Sequence, residues 1–118
     1  MRILMVSDVY FPRVNGVSTS IRTYRDDLAA LGHTCELIAP EYPARTMVDG
    51  AHITRVRSRG VPRDPEDRMM VRSDLRRLTA RFQPGDIDVV HIQTPFVAHY
   101  AGLELGRRLA VPVVESYH

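Results

Sequence analysis

Short unbroken apolar runs alternate along this chain with longer stretches in which apolar residues recur every three or four positions. Arg2 to Ser7 is such a run, the pattern of a strand covered on both faces. Pro12 and the turn pair Asn15-Gly16 make Asp8 to Val17 a loop. A helix follows, capped by Ser18 or Thr19, with Ile21, Tyr24, Leu28 and Leu31 on one side and a stop at Gly32. Thr34 to Ala39 reads as a second strand closed by Pro40, which completes a right-handed βαβ unit. Glu41 to Gly50 is a loop. Ala51 to Val56 alternates like a strand near an edge, and the short connection before it leaves its direction open.

Gly60, Pro62 and Pro65 predict another loop, and Asp67 to Phe82 a helix with Val71, Leu75, Leu78 and Phe82 inward, extended by Met69 and Met70. After a turn at Gln83 to Asp86, Asp88 to Gln93 is apolar enough for a central strand, with His91 a satisfied core histidine. Thr94 should cap the next helix and Pro95 open it. That helix, Pro95 to Leu109, turns Ala98, Ala101, Leu105 and Leu109 inward. Gly102 and Gly106 permit close approach to the sheet, and His99 faces solvent. Val111 to Tyr117 is the last strand, with Val113 and Val114 as its core. At 118 residues this is one α/β domain with a Rossmann-like, mostly parallel sheet and helices on both faces.

Composition adds limits. No run is long enough to span a membrane and the first residues lack a signal-peptide pattern, so a cytoplasmic home is expected. The lone cysteine, Cys35, cannot form an internal disulfide and belongs in the core. The net charge is only +2, but all 16 basic residues are arginine, and nine of them fall between Arg55 and Arg81. That segment reads either as a basic amphipathic surface for an anionic membrane or a phosphorylated acceptor, with Arg72 as a contact, or as a sheet-covering helix with a solvated arginine face. Asp64, Glu66, Asp67 and Asp74 dilute its field. Without aromatic interleaving or a DNA-reading motif, nucleic acid is not a partner.

The candidate chemistry lies where strands hand over to helices. The start of the first helix leaves backbone N–H groups unpaired at the carboxyl edge of the sheet, and Gly16 has no Cβ to hold an anion away. This predicts a diphosphate or sugar contact, against an ordinary turn. Thr94 should lie on the same edge. A nicotinamide site would need closely spaced glycines after the first strand, and only Gly16 is there, although Glu41 could imitate a ribose-binding acid. No metal-ligand spacing and no nucleophile elbow is present.

Asp8-Val-Tyr-Phe-Pro-Arg-Val-Asn-Gly-Val-Ser-Thr-Ser-Ile21, Leu31-Gly-His33 and Leu37-Ile-Ala-Pro40 resemble the opening of the retaining group 1 (family 4) glycosyltransferases, two-domain GT-B enzymes. Val89-Val-His-Ile-Gln-Thr-Pro-Phe96 and Val111-Pro-Val-Val-Glu-Ser-Tyr-His118 continue the likeness to the end of the chain. The resemblance implies an N-terminal, acceptor-side domain in which Asn15, Gly16 and Val17 meet the donor diphosphate and sugar. Gln93 and Thr94 would border the acceptor, and His118 would lie against the transferred sugar. It implies a nucleotide diphosphate sugar as co-substrate, no metal or other cofactor, and acceptors that include lipids approached at the inner face of the membrane. Much of the nucleotide pocket comes from a second domain, absent from these 118 residues, so the chain alone is expected to be inactive. The alternatives are a non-catalytic α/β module that binds a phosphate or a protein, and a nicotinamide-dependent enzyme.

Overall fold

A computed structural model of the chain describes residues 1–43 and 49–118, without the side chains of Pro65 and Glu66. Five parallel strands form the main sheet: β1 (Arg2–Val6), β2 (Thr34–Pro40), β3 (Ile53–Val56), β6 (Val89–Ile92) and β7 (Val113–Glu115). Their spatial order is β3-β2-β1-β6-β7. The chain builds outward from β1 to β3, then returns to the opposite side of β1, which makes the β1/β6 junction a topological switch point. The strand from 51 onward thus runs parallel to its neighbour. The loop expected over 41–50 lies partly outside the described residues.

Alternate residues of the central strands face opposite layers, and two cores result. Ile3, Met5, Cys35, Leu37 and Ala39 point to one face, where Ile21 of α1 (Gly16–Ala30), Tyr10 and Phe11 cover them. Leu4, Val6, Ile38, Val90 and Ile92 point to the other, beneath Leu75 of α2 (Arg72–Thr79) and Val97, Ala98, Leu105 and Leu109 of α3 (Val97–Leu109). Gly102 and Gly106 let α3 lie close: a Cβ on Gly106 would stand 2.2 Å from Val113 Cγ2, and one on Gly102 2.4 Å from Ile92 Cγ1. Tyr24 and Leu31 are largely exposed, because α1 ends before Leu31 and buries a narrower stripe than its spacing suggests. Val114 is exposed as well, since β7 is an edge strand.

The largest departure is between residues 58 and 70. In place of a loop and the first turns of a helix, β4 (Ser58–Val61) and β5 (Asp64–Met70) form an antiparallel hairpin. Pro62 and Arg63 make its turn, with Arg63 at φ 71°, the positive angle that the third residue of a type II turn requires. The helix is therefore confined to α2. Helix starts also differ from expectation. Asn15, not Ser18 or Thr19, caps α1, its side chain accepting from the Ser18 amide at 2.9 Å. The third helix begins at Val97 rather than Pro95, and Thr94 does not cap it in the local manner.

Candidate functional site

A cleft of about 540 Å³ opens at the carboxyl ends of β1, β6 and β7. Four segments line it. Asp8, Val9, Asn15 and Val17 come from the loop and helix start after β1; Gln93, Thr94, Pro95, Phe96 and Val97 follow β6. Glu115, Ser116, Tyr117 and His118 end and follow β7, and Val61, Asp67, Arg68 and Met69 descend from the hairpin. A topological switch point positions loops apart in sequence around one opening, which is why the cleft sits here.

Asp8 organises the rim. Its carboxylate accepts from the Thr94 hydroxyl (2.5 Å) and from the backbone amides of Phe96 (3.2 Å) and Ala98 (3.1 Å), while its own amide donates to the Thr94 oxygen (2.7 Å). It thus caps α3 across the sheet, from a residue 90 positions away. Burial pushes its pKa above the usual 3.8, and these donors only partly oppose the rise. The consequence for ligands is direct. The positive end of α3 already has its carboxylate, whereas the first amides of α1, at Gly16 and Val17, have no intrahelical partner. Gly16 keeps the space beside it clear, because a Cβ there would meet nothing within 4 Å.

Of the residues singled out from sequence, Asn15, Val17, Gln93, Thr94 and His118 line this one cleft, with Gly16 between two of them. The Thr94 hydroxyl, however, is committed to Asp8, and Gln93 is fully buried. Arg72 is elsewhere: it borders a separate groove of about 280 Å³ between α2 and α3, beside Arg76, Tyr100, Glu104 and Arg108. Among the described residues, the arginine lining the cleft is Arg68, braced on Ser58 by bonds to the hydroxyl (3.0 Å) and carbonyl (2.9 Å). Sequence reasoning missed both Asp8 and the hairpin. An acid immediately after the first strand signalled the former; Val61-Pro-Arg-Asp64 is a turn signature for the latter.

His91 is half-buried and satisfied, with Nε2 2.6 Å from the Ser116 hydroxyl and Nδ1 3.2 Å from the Gln93 amide nitrogen. Burial, and secondarily the charge of His118, lowers its pKa from 6.5. His99 does not face solvent as expected; it pairs with Glu115. The nine-arginine segment is likewise no single basic helix. The Arg55 side chain is only 4% exposed and clasps Asp49 and the carbonyls of Phe11 and Pro40, while Arg57 pairs with Asp74. Arg59, Arg63, Arg72, Arg76, Arg77 and Arg81 are exposed. Among the described residues, no group of three His, Cys, Asp or Glu side chains could hold a metal ion, and no helix is long and apolar enough to cross a membrane.

A doubly wound sheet with an open cleft at its switch point defines a Rossmann-like domain. Residues 14–118 match Glycosyltransferase Family 4, and the chain belongs to that family. It is 34% identical, over 99% of its length, to the GDP-mannose-dependent alpha-mannosyltransferase of Mycobacterium tuberculosis (strain CDC 1551 / Oshkosh), covering 32% of that protein. It is also 31% identical, over 100% of its length, to the alpha-monoglucosyldiacylglycerol synthase of Streptococcus pneumoniae (strain ATCC BAA-255 / R6), covering 26%. The chain thus spans a third or less of the length of these relatives.

Proposed function

We propose that this chain belongs to the N-terminal, acceptor-side domain of a retaining glycosyltransferase that moves a hexose from a nucleotide diphosphate sugar to a lipid or phosphorylated polyol. One observation carries the reading: three segments far apart in sequence, around residues 15–17, 93–97 and 115–118, line a single cleft, and each lies in a block that resembles the family. The names of the relatives add a donor, GDP-mannose, and a glycolipid product. In this reading the amides of Gly16 and Val17 face the donor diphosphate, whose negative charge suits a helix N-terminus. His118 stands beside the sugar being transferred, where a positive centre develops and a polar ring can orient it. Arg68 takes the part first assigned to Arg72, offering a guanidinium to a phosphate or hydroxyl of the acceptor.

The rest of the nucleotide pocket belongs, in this reading, to a second domain. Calorimetric titration of the 118-residue chain with GDP-mannose should therefore give no micromolar binding. The full-length enzyme, incubated with labelled GDP-mannose and a lipid extract, should give a glycolipid whose new linkage keeps the donor's α configuration. A folded full-length enzyme inactive with every nucleotide diphosphate hexose would leave a binding module as the better description.

A finer part of the proposal concerns the bilayer. The exposed arginines on and after α2, namely Arg72, Arg76, Arg77 and Arg81, offer positive charge suited to anionic lipid, with Asp74 beside Arg77 and Glu104 in the groove of Arg72 and Arg76. The protein should float with vesicles containing phosphatidylglycerol and not with neutral ones, and Arg72→Gln with Arg76→Gln should weaken that association. Equal flotation with both vesicle types would remove the membrane from this proposal.

A further inference from the structure

Gln93 lines the cleft as the first residue beyond β6, yet it is 0% exposed and so offers little to a ligand. Its amide instead sits between two histidines. Nε2 is 3.2 Å from His91 Nδ1, and Oε1 is 3.3 Å from His118 Nε2. The far end of the series is anchored too, since His91 Nε2 lies 2.6 Å from the Ser116 hydroxyl and the Ser116 amide donates to the Ile92 carbonyl at 3.0 Å. A neutral imidazole has one donor and one acceptor nitrogen, and an amide has a donor end and an acceptor end. With the Gln93 nitrogen donating to His91 Nδ1, the His91 proton must be on Nε2, directed at Ser116. The Gln93 oxygen is then left to accept, and only a proton on His118 Nε2 satisfies it.

We infer that Gln93 is a positioning residue: with His91 and Ser116 behind it, it fixes both the orientation and the tautomer of His118 at the cleft. His118 Nδ1 is thereby left as the ring's free acceptor. The inference rests on the transferase reading for its functional meaning, though not for its geometry. A buried amide suits this task because, with both rings in these tautomers, its rotation would set donor against donor and acceptor against acceptor in the interior. It also reassigns Gln93, which acts on the reacting centre through His118 rather than by touching the acceptor.

Two measurements test it. Two-bond ¹⁵N–¹H correlation spectra of the chain, at a pH high enough to keep both rings neutral, should place the His118 proton on Nε2 and the His91 proton on Nε2. A His118 proton on Nδ1 overturns the inference without any variant. Gln93→Met keeps the side chain's length and removes both bonds. In the chain it should leave His118 a mixture of tautomers. In the full-length enzyme it should lower kcat about ten- to a hundredfold, with acceptor KM held within about twofold. An unchanged kcat, or a loss confined to acceptor KM, overturns the inference. Ser116→Ala, which removes the anchor while sparing Gln93, should reproduce the tautomer change in weaker form. Because the spectra need no activity, their agreement alongside an inactive full-length enzyme would refute only the transferase reading.

Discussion

At the scale of single residues, the fold holds a half-buried titratable ring and a left-handed alanine, and each has a measurable effect on stability. His91 binds a proton less readily when folded than when unfolded, because burial and His118 oppose its charge. Its contribution to stability is thus complete above the ordinary value of 6.5 and is lost as pH falls below it. In urea denaturation, the advantage of the wild type over His91→Phe should be smaller at about pH 5.5 than at about pH 7.5. Ala110 closes α3 at φ 56°, in the left-handed region where a Cβ is costly. Ala110→Gly should raise stability by about 0.5–1 kcal/mol in the same assay. Asp8 marks the limit of reading a sequence at this scale. Its acid was visible at the end of the first strand, but its partners lie near residues 94–98 and only the folded sheet brings them together. Local rules assigned the cap to Thr94 for want of that contact.

Elements were legible where periodicity and packing agreed. The spacing of Ala98, Ala101, Leu105 and Leu109 identified α3, and its two glycines announced the contact with β6 and β7. Gly106→Val should cost about 1–3 kcal/mol in chemical denaturation, since it drives a branched side chain into Val113. Apart from its turn residues, Val61 to Asp64, the hairpin was hidden for the opposite reason. Its strands carry arginines, acids and a proline, and the alternation of Met69 and Met70 merges with the helical spacing that begins at Val71. Met70 is buried as a strand residue, not as part of α2. A pattern of apolar positions cannot separate two elements that join without a break.

For the whole molecule, the order of elements was enough to foresee a parallel sheet with helices on both faces, and with it the edge where the cleft opens. What it could not supply was the fourth wall of the cleft. Gly16→Trp tests the opening itself. Nothing lies within 4 Å of the position a Cβ would take there, so the variant should fold with stability within about 0.5 kcal/mol of the wild type. Its bulk should nonetheless abolish transfer in the full-length enzyme, and unimpaired transfer would take Gly16 out of the site. The bond set of Asp8 has one more implication. A single side chain moors the shores after β1 and β6 to each other, so neither can shift alone without stripping buried amides of their acceptor.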